Sequence, residues 1–305
     1  MTTATMTTAT LEARTTEYDV DEIEYLRHGD KPLLARVFKP RGAGPFPALV
    51  ECHGGAWCMS DRTTEHLRHE YMASHGIVSI ALDFRSGNED PYPASVQDIN
   101  YAVRWAKLHA RELKTRPELV GISGQSSGGH LAMLVAMRPH DPRYTAIALP
   151  AGSPAHDASV PCAILSWPVI NPLSRYRHAK RALTGANPPD WPNSIIPRHD
   201  KYWRSEANMG EANPMLALER GEKVLTPPAI WIQARGDTVH DYKDADSDFP
   251  GNEPQRFVAN YRKAGGDIAL DYIEMERHHG HSPDLSKNAD SFARMVEFVG
   301  KHIKT

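Results

Sequence analysis

Short apolar runs recur along the chain: PALVEC (47–52), IVSIALDF (77–84), LVGISG (119–124), CAILSW (162–167), PAIWIQA (228–234) and IALDYIEM (268–275). They are rich in β-branched residues and mostly free of charge, as strands buried on both faces are. Ahead of them, residues 21–39 read as two strands around the turn His28-Gly29-Asp30-Lys31-Pro32, where Gly and Asp supply the turn chemistry. Between the runs the apolar period changes. Val96, Ile99, Val103 and Ala106 fall on one helical face of 94–113. Residues 127–138, 255–264 and 287–302 also read as helices, the last with Phe292, Met295, Val296 and Val299 as its stripe. This alternation predicts an α/β protein with a mostly parallel, doubly wound sheet.

One stretch breaks the rhythm. Residues 139–215 are rich in Pro, Trp and Arg and, outside the strand at 162–167, lack clean periodicity. Connections that long usually carry function, so an inserted cap or lid is expected there within a single domain spanning 19–305. Residues 1–18 repeat the pentad MTTAT and hold few apolar side chains. They are expected to form a flexible N-terminal arm.

Composition narrows the function classes. With 40% hydrophobic and 24% charged residues among 305, the chain is ordinary globular protein, not a disordered or disulfide-stapled one. Thirty-five basic residues face 38 acidic ones, too few to grip a phosphate backbone, so no nucleic-acid partner is expected. Mean hydropathy is −0.51, and no run approaches the ~18 apolar residues of a membrane span, so no membrane association is expected. The N-terminal segment has neither the basic nor the apolar region of a secretory signal. Cys52, Cys58 and Cys162 make no disulfide framework. A reducing cytoplasm is the expected location, and a homodimer is compatible with this reading.

The chemistry gathers just after the strands, where sites in open α/β sheets form. LVGIS leads into Gly124-Gln125-Ser126-Ser127-Gly128-Gly129 and then a helix. This is G-x-S-x-G in strand–turn–helix context, a turn that lifts the serine hydroxyl above the sheet. Ser126 is the expected nucleophile. The helix start beneath it offers free N–H groups and a positive dipole end. His53-Gly54-Gly55-Ala56-Trp57 also follows a strand. The N–H groups of Gly55, Ala56 and Ser127 are the expected oxyanion donors, which must come within about 3 Å of the developing charge. His53 is expected to hold the loop.

A serine nucleophile needs a base and an orienting carboxylate, here in the chain order Ser, Asp, His. Asp237, in the turn after PAIWIQA, is the expected acid. For the base, Glu276-Arg277-His278-His279-Gly280-His281 offers three histidines. The preceding glycine favours His281, and an ungapped count from the strand favours His278.

These residues resemble a known family. His53-Gly54-Gly55 and Gly124-Gln125-Ser126-Ser127-Gly128-Gly129, with Asp83-Phe84-Arg85 and Tyr92-Pro93-Ala94 between them, look like the α/β-hydrolase superfamily. Within it they most resemble the hormone-sensitive-lipase-like branch of bacterial carboxylesterases, over about residues 20–304. The resemblance implies an α/β-hydrolase fold and cofactor-free hydrolysis of short-to-medium acyl esters. Two positions depart from the family: Ala56 replaces its third loop glycine, and Gln125 replaces the aspartate before its nucleophile.

Other readings are open. The same parts could hydrolyse an arylformamide or another activated amide, and a non-catalytic small-ligand receptor could use the same scaffold. Trp57 and Trp203 are expected to line an apolar substrate pocket. Arg175, Arg177, Arg198 and Arg204 are either a solvated face or a contact for an anionic substrate. His75 follows His69-Glu70 at six residues from His69, so the two histidines do not share the helical face a zinc site needs, and no metal is expected. The expected substrate is a small ester, short-chain or aryl.

Overall fold

A computed structural model of the protein describes residues 16–274 and 289–305. Strands β1 (Tyr18–His28) and β2 (Lys31–Pro40) form a hairpin. The six apolar runs become β3 (Ala48–Cys52), β4 (Val78–Leu82), β5 (Val120–Gln125), β6 (Ala163–Ser166), β7 (Ala229–Ala234) and β8 (Ile268–Ile273). All eight join one sheet in the order β1-β2-β4-β3-β5-β6-β7-β8. β1 and β2 pair antiparallel, as do β2 and β4, while the pairings from β4 through β8 are parallel.

Residues alternate between the two faces of the sheet. Val50, Ala163, Leu165, Ala229 and Trp231 face one core, shared with α2 (Ala94–Leu108), α3 (Ser127–Met137) and α8 (Glu253–Lys263). Leu49, Ile164, Ile230 and Ile232 face the other, under α1 (His66–Ser74) and α9 (Ala289–His302). Burying both faces requires the nearly unbroken apolar runs seen in the sequence.

The stretch 139–215 is not one contiguous insertion. Residues 139–162 hold no helix or strand, and β6 then enters the sheet between β5 and β7. Four helices follow: α4 (Pro172–Ala182), α5 (Trp191–Trp203), α6 (Glu206–Glu211) and α7 (Pro214–Glu219). Local chemistry starts three of them. The side chains of Asn171, Ser205 and Asn213 accept from the N–H groups of Ser174, Asn208 and Leu216, satisfying exposed first-turn donors. Apolar period does not reveal these helices, because α6 and α7 are six residues each and α5 contains Pro197. On α4, Ser174 and Arg175 lie on the buried face. Arg68 and His69 hide α1 in the same way.

Part of the expected N-terminal arm is ordered structure. The N–H of Thr16 donates to Ser74 O at 2.7 Å, and β1 begins at Tyr18; residues 1–15 lie outside the described residues. No helix among the described residues is long and apolar enough to cross a membrane.

Candidate active site

Ser126 sits between β5 and α3 with φ 52° and ψ −118°. That conformation is costly for a non-glycine residue, on the order of 1–3 kcal/mol, and its surroundings enforce it. The Ser126 N–H donates to Ser166 O at 3.0 Å, and its carbonyl accepts from the Val169 N–H at 3.0 Å. The neighbouring glycines allow the close packing. A Cβ on Gly124 would lie 2.3 Å from Gly128 O, and one on Gly128 would lie 2.2 Å from Cys52 O. The same contact brings the end of β3 and the loop after it against the start of α3.

That loop is the predicted donor loop. Gly55, Ala56 and Trp57 have φ of 105°, 50° and 61°. A Cβ on Gly55 would meet Met59 O at 2.2 Å, so only glycine fits. Gly54 packs beside Ser126, its Cβ direction 3.5 Å from Ser126 Cβ. Among the described residues the Gly55 and Ala56 N–H groups meet no acceptor. Ser127 opens α3, where an N–H has no carbonyl of its own helix to bond. His53 stacks on Phe84 with ring centroids 4.1 Å apart, and its Nδ1 lies 2.8 Å from Gly54 O. Burial pushes its pKa down, as suits a neutral structural ring.

Asp237 lies after β7, where the sequence puts the acid. The ring facing Ser126 comes from the same turn: Ser126 Oγ is 2.9 Å from His240 Nε2, and His240 Nδ1 is 2.7 Å from Asp237 Oδ2. Asp237 Oδ1 accepts from the N–H groups of Val239 and His240 at 3.1 and 3.3 Å. His278, His279 and His281 lie outside the described residues. His240 was not among the sequence candidates. Its signal is local: a histidine three residues after the acid, within one tight turn that brings such residues together.

The electrostatics fit a base and its orienter. Burial pushes the Asp237 carboxyl up, but the charge and hydrogen bond of His240, the Val239 N–H and nearby Arg175 outweigh it, and its pKa falls to about 2. Burial pushes His240 down, Asp237 pushes it partly back up, and Arg175 pushes it down again. The net direction is downward, leaving a neutral ring able to accept a proton near pH 7.

Trp57 and Trp203 are core residues rather than the expected pocket walls, with 2% and 0% of their surface exposed. They pack edge to face with each other at 5.3 Å, and Trp57 also stacks on Tyr202 and meets the buried His130. Of the four arginines considered, Arg175 is buried, whereas Arg177 pairs with Glu206 and Asp246 on the surface. Among the described residues, no group of three His, Cys, Asp or Glu side chains forms a metal-ligand set.

Solved structures share this architecture. Carboxyl esterase 2 of Tuber melanosporum superposes with a TM-score of 0.70 at 16% identity, over 95% of this chain and 89% of its own. An esterase of Pyrobaculum calidifontis gives 0.69 at 20% identity, over 96% and 88%. The chain has the α/β-hydrolase fold. The BD-FAE family model matches residues 37–161 of this chain, from the end of β2 past α3 to the residues just before β6. Esterase LipC of Mycobacterium tuberculosis is 30% identical over 86% of this chain and 60% of its own length. Carboxylic ester hydrolase LipN of the same organism is 36% identical over 35% and 29%. The aligned regions thus span less than two thirds of these curated relatives.

Proposed function

We propose that the protein is a serine carboxylesterase of the hormone-sensitive-lipase-like branch, acting on small short-chain or aryl esters. The observation that carries this reading is the Ser126–His240–Asp237 relay, with hydrogen-bond distances of 2.9 and 2.7 Å. Ser126 Oγ attacks the acyl carbonyl while His240 Nε2 takes its proton. Asp237 holds the ring with Nε2 free to accept and stabilises the imidazolium that forms. The N–H groups of Gly55, Ala56 and Ser127 receive the oxyanion. His240 then protonates the departing alcohol oxygen, and water, deprotonated by the same ring, releases the acid from Ser126. Esterase names among the relatives support the reaction class. The buried free cysteines fit the cytoplasmic location expected from the sequence.

The test compares Ser126→Ala, His240→Ala, His278→Ala and His281→Ala on p-nitrophenyl acetate. The first two should lose on the order of 10⁴–10⁶ in kcat, and the other two should stay within about tenfold of the parent enzyme. An inactive His281→Ala or His278→Ala beside an active His240→Ala would move the base to that residue. An active Ser126→Ala would end the serine-hydrolase reading.

A further inference from the structure

Arg175 is an arginine with 2% of its surface exposed, and its Nε and Nη1 have no hydrogen-bond partner among the described residues. A buried guanidinium ordinarily brings a carboxylate with it. Here one flank meets the Trp191 ring, 5.3 Å from the guanidinium carbon to the ring centre. Another faces an internal cavity of about 10 Å³ lined by Arg175, His240, Tyr242, Asn171 and Glu253, among others. That space suits one water and is too small for a substrate carboxylate, which argues against Arg175 as an anion anchor.

Its position is tightly specified. Asn171 caps α4, its carbonyl accepts the Arg175 N–H at 3.0 Å, and its side chain accepts from Asn213 at 2.7 Å. From the same helix, Ser174 Oγ accepts from the Tyr242 hydroxyl at 3.2 Å, and His178 stacks on the Tyr242 ring at 4.0 Å. Thus α4 is bonded and stacked against the loop that carries Asp237 and His240.

We propose that Arg175 is a positioning residue for the Asp237–His240 pair: a buried cation with no carboxylate paired to it among the described residues, set behind the loop that carries both groups. Its positive charge favours Asp237 as the carboxylate and opposes a second cation on His240, in keeping with the directions in which both are displaced. Other titratable groups face the same region. Tyr242, His178 and His199 are neutral near pH 7, with burial pushing the tyrosine up and both histidines down. Two carboxyls are pushed up by burial, Glu253 to about 7 and Asp241 above its ordinary value; Glu253 accepts from Arg256 at 2.9 Å and Asp241 from Asn252 at 2.5 Å.

The inference rests on His240 as the base, and the experiment separates the two ideas. Arg175→Met and Arg175→Gln are compared with the parent enzyme and Arg175→Lys. Loss of the cation lets His240 protonate at higher pH, so the acidic limb of kcat/KM moves upward. The ratio of kcat/KM at pH 6 to that at pH 8 should fall about 2–5-fold in both neutral variants for an upward move of about one pH unit and stay near the parent value in Arg175→Lys. Tm should hold or rise in Arg175→Met, because replacing an unpaired buried charge with an apolar side chain is often neutral or stabilising. A purely structural role predicts a lower Tm with an unmoved profile, and that result overturns the proposal. The His240 ring is also titrated by NMR in each variant. A ring that titrates at the same pH in all of them refutes the proposal. A ring that titrates higher in the neutral variants with an unmoved rate profile upholds Arg175 and refutes His240 as the base.

Discussion

Replacing Asp237 with Asn changes one oxygen to NH₂ and almost nothing else in shape, yet the geometry leaves no benign orientation for the amide. In the parent protein Oδ2 accepts from His240 Nδ1 at 2.7 Å, and Oδ1 accepts from two backbone N–H groups. If the new NH₂ faces His240, Nδ1 must become the acceptor and the ring proton moves to Nε2. Nε2 can then no longer take the proton of Ser126. If the NH₂ faces the backbone instead, it opposes the Val239 and His240 donors. The same exchange in a serine-protease triad costs about 10⁴ in kcat, roughly 5 kcal/mol of barrier. Stability changes as well. The native carboxyl has its pKa near 2, below its unfolded value of about 3.9, which corresponds to about 2–3 kcal/mol. Because the folded pKa is the depressed one, this contribution is complete above the unfolded pKa and disappears as pH falls through the folded one. The Asn variant should show a flatter decline in stability between about pH 4 and 2, where the charge of His240 helps hold the native carboxylate. Steady-state hydrolysis of p-nitrophenyl acetate and urea melts across pH check both effects. Retention of more than about a tenth of the parent kcat would remove Asp237 from the relay.

Two further predictions follow from packing. Trp203→Ala should destabilise the protein by about 3–5 kcal/mol while KM for a small ester stays within about threefold, since the ring has 0% exposure; thermal melts and kinetics on p-nitrophenyl acetate check this, and a raised KM at unchanged Tm would return Trp203 to the pocket wall. Across p-nitrophenyl esters of increasing acyl length, kcat/KM should fall beyond roughly eight carbons, as expected for a pocket of ~300–1,000 Å³, and a maximum at the palmitate ester would contradict the short-chain reading.

The parts visible in the sequence are those set by neighbouring residues. The six apolar runs become β3 to β8 because a sheet buried on both faces admits little charge along its strands. Ser126 is legible because its turn needs small residues at fixed offsets, and the distances at Gly124 and Gly128 show why. Asp237 is legible because it follows a recognisable strand. Four helices between β6 and β7 escape the apolar pattern for local reasons as well: two are a turn and a half long, one holds an internal proline, and α4 buries a cation. The sequence also cannot say that Trp57 and Trp203 meet each other and His130 in the core, since those contacts join residues far apart in the chain.

The relay itself divides along the same line. That an acid follows β7 and a histidine follows the acid is written in five consecutive residues, Gly236 to His240. Which histidine reaches Ser126 depends on where β5 and β7 lie in the sheet, on the turn after β7, and on α4 packed behind it. Ser126 and His240, 114 positions apart in the chain, meet at 2.9 Å because the sheet order brings their strand ends together, and strand order is a property of the folded chain rather than of any local segment.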